Sequence, residues 1–261
     1  MRLATWNINS LRLRLDLLRR LVQQEQPDVV CLQEIKVQDS EFPMEEVQAL
    51  GFPHVLRHGM KGYNGVAILS KLPFQARDPQ DWCKKADSRH GVVVLGGDVE
   101  LHNFYIPAGG DIPDPAENVK FAHKLQFLDE MKDWFTSQKK TRKAVMVGDL
   151  NIAPLEHDVW SHKQLLKIVS HTPIEVEKLN ALQLAGHWQD PIRHFTPEPT
   201  KLYSWWSYRS PDWEKNDRGR RLDHVWTTPA VTPRVKAAKI VRDMRSWTQP
   251  SDHVAVVVDI D

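Results

Sequence analysis

The chain has 261 residues, of which 41% are hydrophobic, and its formal net charge at pH 7 is +1. This size suits one large domain, and we predict a single catalytic domain over residues 1–261. The near-neutral charge excludes a broadly basic surface, so any contact with nucleic acid must be local. The two cysteines exclude a disulfide framework, and no apolar run approaches the ~18 residues of a membrane span. No secretory signal is visible, so we expect a reducing, cytoplasmic setting and no membrane partner.

Strand-like and helix-like segments alternate along the chain. Runs rich in β-branched residues and punctuated by Gly or Pro predict strands at 2–7, 28–33, 65–70, 91–95, 99–106, 144–148, 222–227, 235–241 and 254–260. Helices are predicted at 10–24, 43–51, 115–138 and 173–185. For the first helix, Asn9 or Ser10 is the predicted N-cap. Each half of the chain opens with a strand that ends in a polar residue, which favours two packed sheets with helices outside.

Polar side chains cluster where the predicted strands begin or end. A polar residue at the exit of a buried strand is where sheet enzymes place their chemistry. Each of these residues alone is most simply a cap or a turn residue, but their joint occurrence predicts one site built from five segments. The residues are Asn7, Asn9, Glu34, Asp149, Asn151, Asp223, Asp252 and His253.

The residue types in this set indicate a particular chemistry. Carboxylate oxygens from Glu34, Asp149 and Asp252, with amide oxygens from asparagines, are the ligands that Mg²⁺ prefers, and Mn²⁺ is a possible substitute. His253 can be oriented by a carboxylate such as Asp223. A hard metal, an oriented histidine and carboxylates together predict metal-assisted hydrolysis of a phosphate ester.

Six motifs carry a resemblance to a known family. They are ATWNINSLR (4–12), QPDVVCLQEIK (26–36), YNGVA (63–67), GDLNIAP (148–154), GRRLD (219–223) and PSDH (250–253). Together they resemble the exonuclease III type of abasic-site endonuclease, within the endonuclease/exonuclease/phosphatase superfamily, over essentially the whole chain. The resemblance implies a four-layer α/β sandwich, with two packed mixed sheets flanked by helices.

The resemblance also implies roles for individual residues. Metal ligation, directly or through water, is expected from Asn7, Glu34, Asp149, Asn151 and Asp252. Catalytic roles are expected for Tyr105, Asp149, Asn151, Asp223 and His253: Asp149 would activate water, Asn151 would hold a phosphate oxygen, and His253, oriented by Asp223, would bind the scissile phosphate. Substrate contacts are expected from Asn9, Lys120, Ser170, Trp205 and Arg220, although Lys120 could equally be an exposed helix lysine.

The aromatic segment 203–209 and three departures from the family bear on the substrate pocket. The segment resembles a loop, in which Trp205 either borders an extrahelical sugar or plugs the mouth of the sandwich. Ala108 stands where relatives have a phosphate-binding amide, and Arg220 where they have Trp or Leu. An arginine there would make the pocket more polar or reach a phosphate. In the loop before residue 173, either Ser170 or His171 could face the pocket.

The function implied by the resemblance is Mg²⁺-dependent DNA repair. The chain would hydrolyse the backbone 5′ to abasic sites, remove blocking groups and phosphates from 3′ ends, and degrade duplex DNA from 3′ termini. Its partner would be duplex DNA with abasic sites or blocked 3′ ends, and we expect a monomer. The alternatives are a mainly 3′-processing enzyme, a phosphatase for a nucleotide, RNA or phosphoinositide, and a DNA-binding protein without catalysis.

Overall fold

A computed structural model describes residues 1–210 and 212–261 of the chain. Its helices are α1 (Leu15–Glu25), α2 (Met44–Ala49), α3 (Val119–Thr136), α4 (His162–Leu165), α5 (Pro173–Ala185), α6 (Pro191–Phe195) and α7 (Trp213–Asn216). Its strands are β1 (Arg2–Asn7), β2 (Val29–Gln33), β3 (His54–His58), β4 (Val66–Ser70), β5 (Phe74–Arg77), β6 (His90–Leu95), β7 (Val99–Tyr105), β8 (Lys143–Asp149), β9 (Trp205–Trp206), β10 (Gly219–Arg220), β11 (Asp223–Thr227), β12 (Val235–Ile240) and β13 (Val256–Ile260). In the part of the chain described, none of the helices combines the length and apolarity needed to cross a bilayer.

The strands form two mixed sheets and a short ribbon. The first sheet has the order β12-β13-β1-β2-β4-β3 and the second has the order β11-β8-β7-β6-β5. Each sheet contains one parallel pair at its centre, β1 with β2 and β7 with β8, and the remaining pairs are antiparallel. The ribbon joins β9 to β10.

The alternation of side chains along the strands separates three apolar layers. Leu3 of β1 and Val145 of β8 meet in the core between the two sheets. Trp6 of β1 packs on the opposite face, in a core that includes residues of α1 and α2. Met146 of β8 packs on the outer face of the second sheet, in a core that includes residues of α3 and α5. The predicted four-layer α/β sandwich is thereby confirmed.

The topology brings the polar strand ends to one edge of the sandwich. Parallel strands end at the same edge, so Asn7 ends β1 beside the end of β2, and Asp149 ends β8 beside Tyr105 of β7. β11 runs antiparallel to β8 and begins with Asp223 opposite Asp149. The segment before β13 reaches the same edge, where the His253 carbonyl accepts a hydrogen bond from Trp6 Nε1 at 3.1 Å. Six separate segments therefore meet at one place.

The first helix begins later than predicted, and the predicted cap was wrong. Asn9 and Ser10 have φ values of 48° and 87°, in the left-handed region, and the amides of Ser10 and Leu11 donate to the carbonyls of Glu34 and Ile35. This segment is held by the chain after β2, so α1 starts only at Leu15, without a side-chain cap.

The aromatic segment was also misjudged in part. Trp205 and Trp206 pair with Arg220 and Gly219 as β9 and β10, so the centre of the predicted loop is a short strand. This pairing sets Trp205 opposite Arg220, which lies fifteen positions further along the sequence. The edge strands β3 and β5 were not predicted, because their half-exposed sequences lack the apolar density of the central strands.

Candidate active site

A cavity of about 700 Å³ opens at the edge where the strand ends meet. Its walls include most of the residues that the sequence singled out, among them Glu34, Tyr105, Asp149, Asn151, Ser170, Trp205, Arg220, Asp252 and His253. Asn7, Asn9 and Asp223 lie behind this wall and bond to its members. The cavity is therefore the place where the predicted site residues come together.

The amide of Asn7 links two of the carboxylates. Asn7 Nδ2 donates to Glu34 Oε1 and to Asp149 Oδ2, both at 2.9 Å. Glu34 Oε1 also accepts from the Tyr105 hydroxyl at 2.8 Å, and Glu34 Oε2 lies 2.8 Å from Lys36 Nζ. Burial acts to raise the pKa of Glu34, but the Asn7 hydrogen bond and the Lys36 ammonium outweigh it, so the pKa is lowered. Glu34 is thus held as a carboxylate.

Asp252 is held by two donors from different segments. Asn9 Nδ2 donates to its Oδ1 at 3.1 Å, and Trp205 Nε1 donates to its Oδ2 at 2.9 Å. The Asn9 side-chain oxygen accepts from Lys36 Nζ at 2.7 Å, which connects Asp252 to the Glu34 cluster. Asn9 therefore supports an acidic residue and does not itself line the cavity.

His253 lies between two buried carboxylates. Its Nδ1 is 2.8 Å from Asp223 Oδ2, and its Nε2 is 3.6 Å from Asp149 Oδ2. Asp223 Oδ2 also accepts from the Ser204 hydroxyl at 2.6 Å. Burial acts to lower the pKa of His253, but the charges of Asp223 and Asp149 outweigh it and raise the pKa, so the imidazolium is favoured. Burial, opposed by His253 and assisted by Asp223, raises the pKa of Asp149.

Asn151 is locked against Asp149 by its own backbone. It has φ 55°, its amide donates to Asp149 Oδ1 at 2.9 Å, and its Nδ2 donates to Asp149 Oδ2 at 3.1 Å and to the Ile106 carbonyl at 2.9 Å. Asp149 Oδ2 thus receives hydrogen bonds from two amides, those of Asn7 and Asn151. These donors fix the orientation of the carboxylate within the cavity wall.

The charge and chemistry of this network fit a divalent ion that prefers oxygen ligands. The four carboxylates of Glu34, Asp149, Asp223 and Asp252 meet the cationic side chains of Lys36 and His253, which leaves an excess of negative charge. Glu34 and Asp252 offer carboxylate oxygens, which Mg²⁺ prefers, whereas Asn7 turns Nδ2 toward Glu34 and its Oδ1 accepts from the Asn9 amide at 3.1 Å. Asp149, Asp223 and His253 also bring ligand atoms within 4.8 Å of one another. Both nitrogens of that histidine face carboxylates, so this trio is better suited to hold a proton.

Arg220 crosses one wall of the cavity. Its guanidinium donates to the Val169 carbonyl at 3.0 Å and to Ser170 Oγ at 2.7 Å, and it lies 5.1 Å from the centroid of the Trp205 ring. Of the two candidates in the preceding loop, Ser170 lines the cavity. His171 is buried away from it, with Nδ1 donating to the Ala153 carbonyl at 2.6 Å. The pocket wall is therefore polar at this point.

Lys120 does not line the cavity, and the buried Lys124 was not singled out from the sequence. Lys120 is exposed at the start of α3 and does not line the cavity, whereas Ala108 lines it without a polar side chain. Four residues further along α3, Lys124 is fully buried and donates to the carbonyls of Ala108 and Asn151. The available signal for Lys124 was its position on the same helix face as Phe121, because an apolar helix face is expected to be buried.

Comparisons with known proteins agree with this geometry. A sequence model described as the Endonuclease/Exonuclease/phosphatase family matches residues 4–253. Exodeoxyribonuclease III of Haemophilus influenzae is 31% identical over 271 residues, which cover 98% of this chain and 98% of that protein. The structure of an AP endonuclease from Archaeoglobus fulgidus has a TM-score of 0.92 at 28% identity, covering 100% of this chain and 99% of that one. A 3′ phosphatase from Neisseria, solved with a product DNA hairpin, has a TM-score of 0.91 at 28% identity, with 100% and 99% coverage.

Family membership rests on the near-complete match in sequence and in fold. The family match includes every segment that contributes a residue to the cavity wall. The H. influenzae relative covers nearly the whole chain at above 30% identity. The chain therefore belongs to the endonuclease/exonuclease/phosphatase family of hydrolases and, within it, to the exonuclease III type of abasic-site endonuclease.

Proposed function

We propose that the chain is a Mg²⁺-dependent DNA phosphodiesterase that hydrolyses the backbone 5′ to abasic sites. In this proposal the same site also removes 3′ blocking groups and phosphates and degrades duplex DNA from 3′ ends. The observation that carries the proposal is the joining of Glu34, Asp149 and His253 around one open cavity, through the Asn7 amide and the Asp149 contact. This arrangement unites an oxygen-rich ion site, a base and a cation for phosphate.

The chain's own residues divide the work of hydrolysis. Asp149, oriented by Asn7 and Asn151, accepts a proton from the attacking water. The imidazolium of His253 binds a phosphate oxygen through Nε2, while Asp223 holds the other side of the ring. The Asn151 side chain and the Tyr105 hydroxyl line the same wall and position the phosphate. Glu34 and Asp252 would hold a divalent ion, with Asn7 orienting Glu34 through Nδ2, and the ion would neutralise charge on the phosphoryl oxygens.

The relatives support DNA as the substrate and both kinds of reaction. One structural neighbour is an AP endonuclease and another is a 3′ phosphatase bound to a DNA product. Trp205 and Leu222 offer apolar surface for a deoxyribose, and Arg220 with Ser170 offers donors for a phosphate. The second candidate function is mainly 3′-end processing with weak incision. It is favoured by Arg220, which bridges the Trp205 wall and the Ser170 wall.

The test of the proposal uses wild-type protein, Mg²⁺ and two labelled duplexes. One duplex carries a single abasic site, and the other has a nick with a 3′-phosphate. We expect incision of the first with a 3′-hydroxyl product and dephosphorylation of the second, both stopped by a chelator and restored by Mg²⁺. Activity on the second duplex alone would support the 3′-processing candidate. Activity on neither would transfer support to an RNA, nucleotide or phosphoinositide substrate.

Arg220→Leu is expected to shift the balance between the two reactions. Removal of the guanidinium opens the space between Trp205 and Ser170 and deletes a phosphate donor. We expect the ratio of kcat/KM for abasic-site incision to kcat/KM for 3′-phosphate removal to rise about tenfold, the size of one lost charge-assisted hydrogen bond. The exposed Arg77→Leu on β5, which removes a guanidinium away from the cavity, is the matched control. An unchanged ratio in Arg220→Leu would refute a role for this residue in substrate choice.

Glu34→Gln is expected to weaken ion binding. It replaces a carboxylate by an amide of the same shape, and loss of even a group that supports a ligand lowers metal affinity by about tenfold or more. Calorimetric titration with Mn²⁺ measures the effect, with the exposed Glu177→Gln on α5 as control. Wild-type protein that binds no divalent ion would favour the alternative of a DNA-binding protein without catalysis.

A further inference from the structure

Three loops that line the cavity meet at one buried ion pair. Lys124 on α3 and Glu175 on α5 bond to each other, and both side chains are 0% exposed. Lys124 Nζ also donates to the carbonyl of Ala108 at 3.2 Å and to that of Asn151 at 2.8 Å. These carbonyls belong to the loops that leave β7 and β8, so one ammonium holds both.

Glu175 holds the third loop. Its two carboxylate oxygens accept from the Ser170 amide at 3.0 and 2.9 Å, and one also accepts from the amide and hydroxyl of Thr172 at 3.1 and 2.6 Å. Ser170 has φ 89°, a left-handed conformation that a residue with a Cβ rarely adopts without support. The carboxylate therefore fixes the loop that presents Ser170 Oγ to Arg220.

The packing of the Ala108 loop also indicates that the ion pair fixes the loops around the cavity. Gly109 has φ 91°, and a Cβ at this position would come within 2.9 Å of Lys124 Cδ and 3.1 Å of Val169 Cγ1. The loop after β7 thus lies directly on the stem of Lys124. Neither Lys124 nor Glu175 lines the cavity, so neither reaches substrate.

A contribution to stability does not by itself explain why a buried ion pair lies at this position. A buried ion pair can be replaced by neutral residues of similar volume with little loss of stability, because desolvation offsets its attraction. A neutral pair cannot reproduce the Lys124 ammonium, whose single nitrogen donates to Glu175 and to the carbonyls of Ala108 and Asn151. We propose that Lys124 and Glu175 are positioning residues for phosphodiester hydrolysis, which set Asn151 against Asp149 and Ser170 against Arg220. The kinetic part of this inference rests on the proposed function, and the structural part does not.

The test compares single and paired substitutions. Lys124→Met alone leaves the Glu175 carboxylate buried without its cation and is expected to lower Tm strongly. Lys124→Met/Glu175→Gln removes both charges and is expected to recover most of the Tm. We expect kcat of this double variant to stay at least about tenfold below wild type, with KM changed less than about threefold, since the displaced groups act on the bound transition state. A kcat that recovers together with Tm would overturn the inference.

A matched control and a second readout keep the test independent of the substrate. Lys178 and Asp129 also bridge α5 and α3, at 2.6 Å, but are partly exposed, and Lys178→Met/Asp129→Asn is expected to leave kcat unchanged. Backbone amide hydrogen exchange in residues 149–153 and 168–172 should be faster in the Lys124/Glu175 double variant than in wild type, although the Tm values of the two proteins are similar. If wild-type protein cleaved neither duplex, the proposed function would fail, and this exchange would still decide the positioning role. Unchanged exchange would contradict it.

Discussion

Asp149→Asn is expected to lower the single-turnover rate on an abasic duplex by about 10³-fold, within the range that general base catalysis contributes. The amide has the shape of the carboxylate but cannot accept the proton of the attacking water. It also loses the attraction to His253, whose Nε2 lies 3.6 Å away. The measurement is quenched single turnover at saturating Mg²⁺, so that product release does not hide the chemical step.

The stability of the same variant provides the control. Burial and the neighbouring Asp223 raise the pKa of Asp149, which means that its charge is unfavourable in the folded protein. Removal of that charge is expected to leave Tm unchanged or higher, as is common when a functional carboxylate is neutralised. The exposed Asp133→Asn on α3 is the matched substitution. Near wild-type turnover in Asp149→Asn would contradict its assignment as the base.

His253→Ala is expected to lower the rate by about 10²- to 10³-fold, the size of a lost donor to a developing charge. The reason is that Nε2 is the buried cation nearest to Asp149 in the cavity wall, while Asp223 holds Nδ1 at 2.8 Å. If Asp223 acts only by orienting this ring, substitution of Asp223 should lower the rate little further once the ring is absent. Residues that act as a unit are non-additive in this way.

A double-mutant cycle makes that expectation measurable. Asp223→Asn alone should reduce the rate, and His253→Ala/Asp223→Asn should be no slower than His253→Ala within about threefold. The Asn variant retains an acceptor for the Ser204 hydroxyl, which limits unrelated damage. Additive losses in the double variant would indicate that Asp223 contributes separately from the histidine.

The sequence alone predicted the sandwich and most of the cavity wall for a physical reason. Parallel strands such as β1 and β2 must end at the same edge, so polar residues at strand ends, Asn7 and Glu34 among them, are brought together by topology. The apolar density of the central strands made their positions readable. The positions of residues near these strand ends could therefore be predicted without knowledge of long-range contacts.

Other features depended on contacts that no local pattern reveals. The pairing of Trp205 with Arg220, and the reach of Arg220 to Ser170, arise from segments far apart in the chain. Lys124 was not singled out, because the burial of its face of α3 depends on packing against the neighbouring α5. A buried lysine becomes acceptable only when its partner Glu175 is present, and the partner lies 51 residues away.

Positive φ values at residues around the cavity explain why the start of α1 was predicted too early. Asn9, Glu34, Asn151 and Ser170 all have positive φ, although none is glycine, and all belong to loops around the cavity. Such conformations persist only where surrounding contacts fix them, and they concentrate at functional sites. Helix propensity therefore predicted the start of α1 too early. Hydrogen bonds to the chain after β2 hold the Asn9 segment, so this segment does not enter the helix.

The most direct test of the account is the product of one abasic duplex cleaved in oxygen-18-labelled water with Mg²⁺. Attack of water on phosphorus, activated by Asp149 beside His253, predicts a 3′-hydroxyl on one fragment. It also predicts one labelled oxygen in the 5′-phosphate of the other, measured by mass spectrometry. An unsaturated aldehyde at the 3′ end and an unlabelled phosphate would mean elimination at the sugar. That result would contradict hydrolysis by this site.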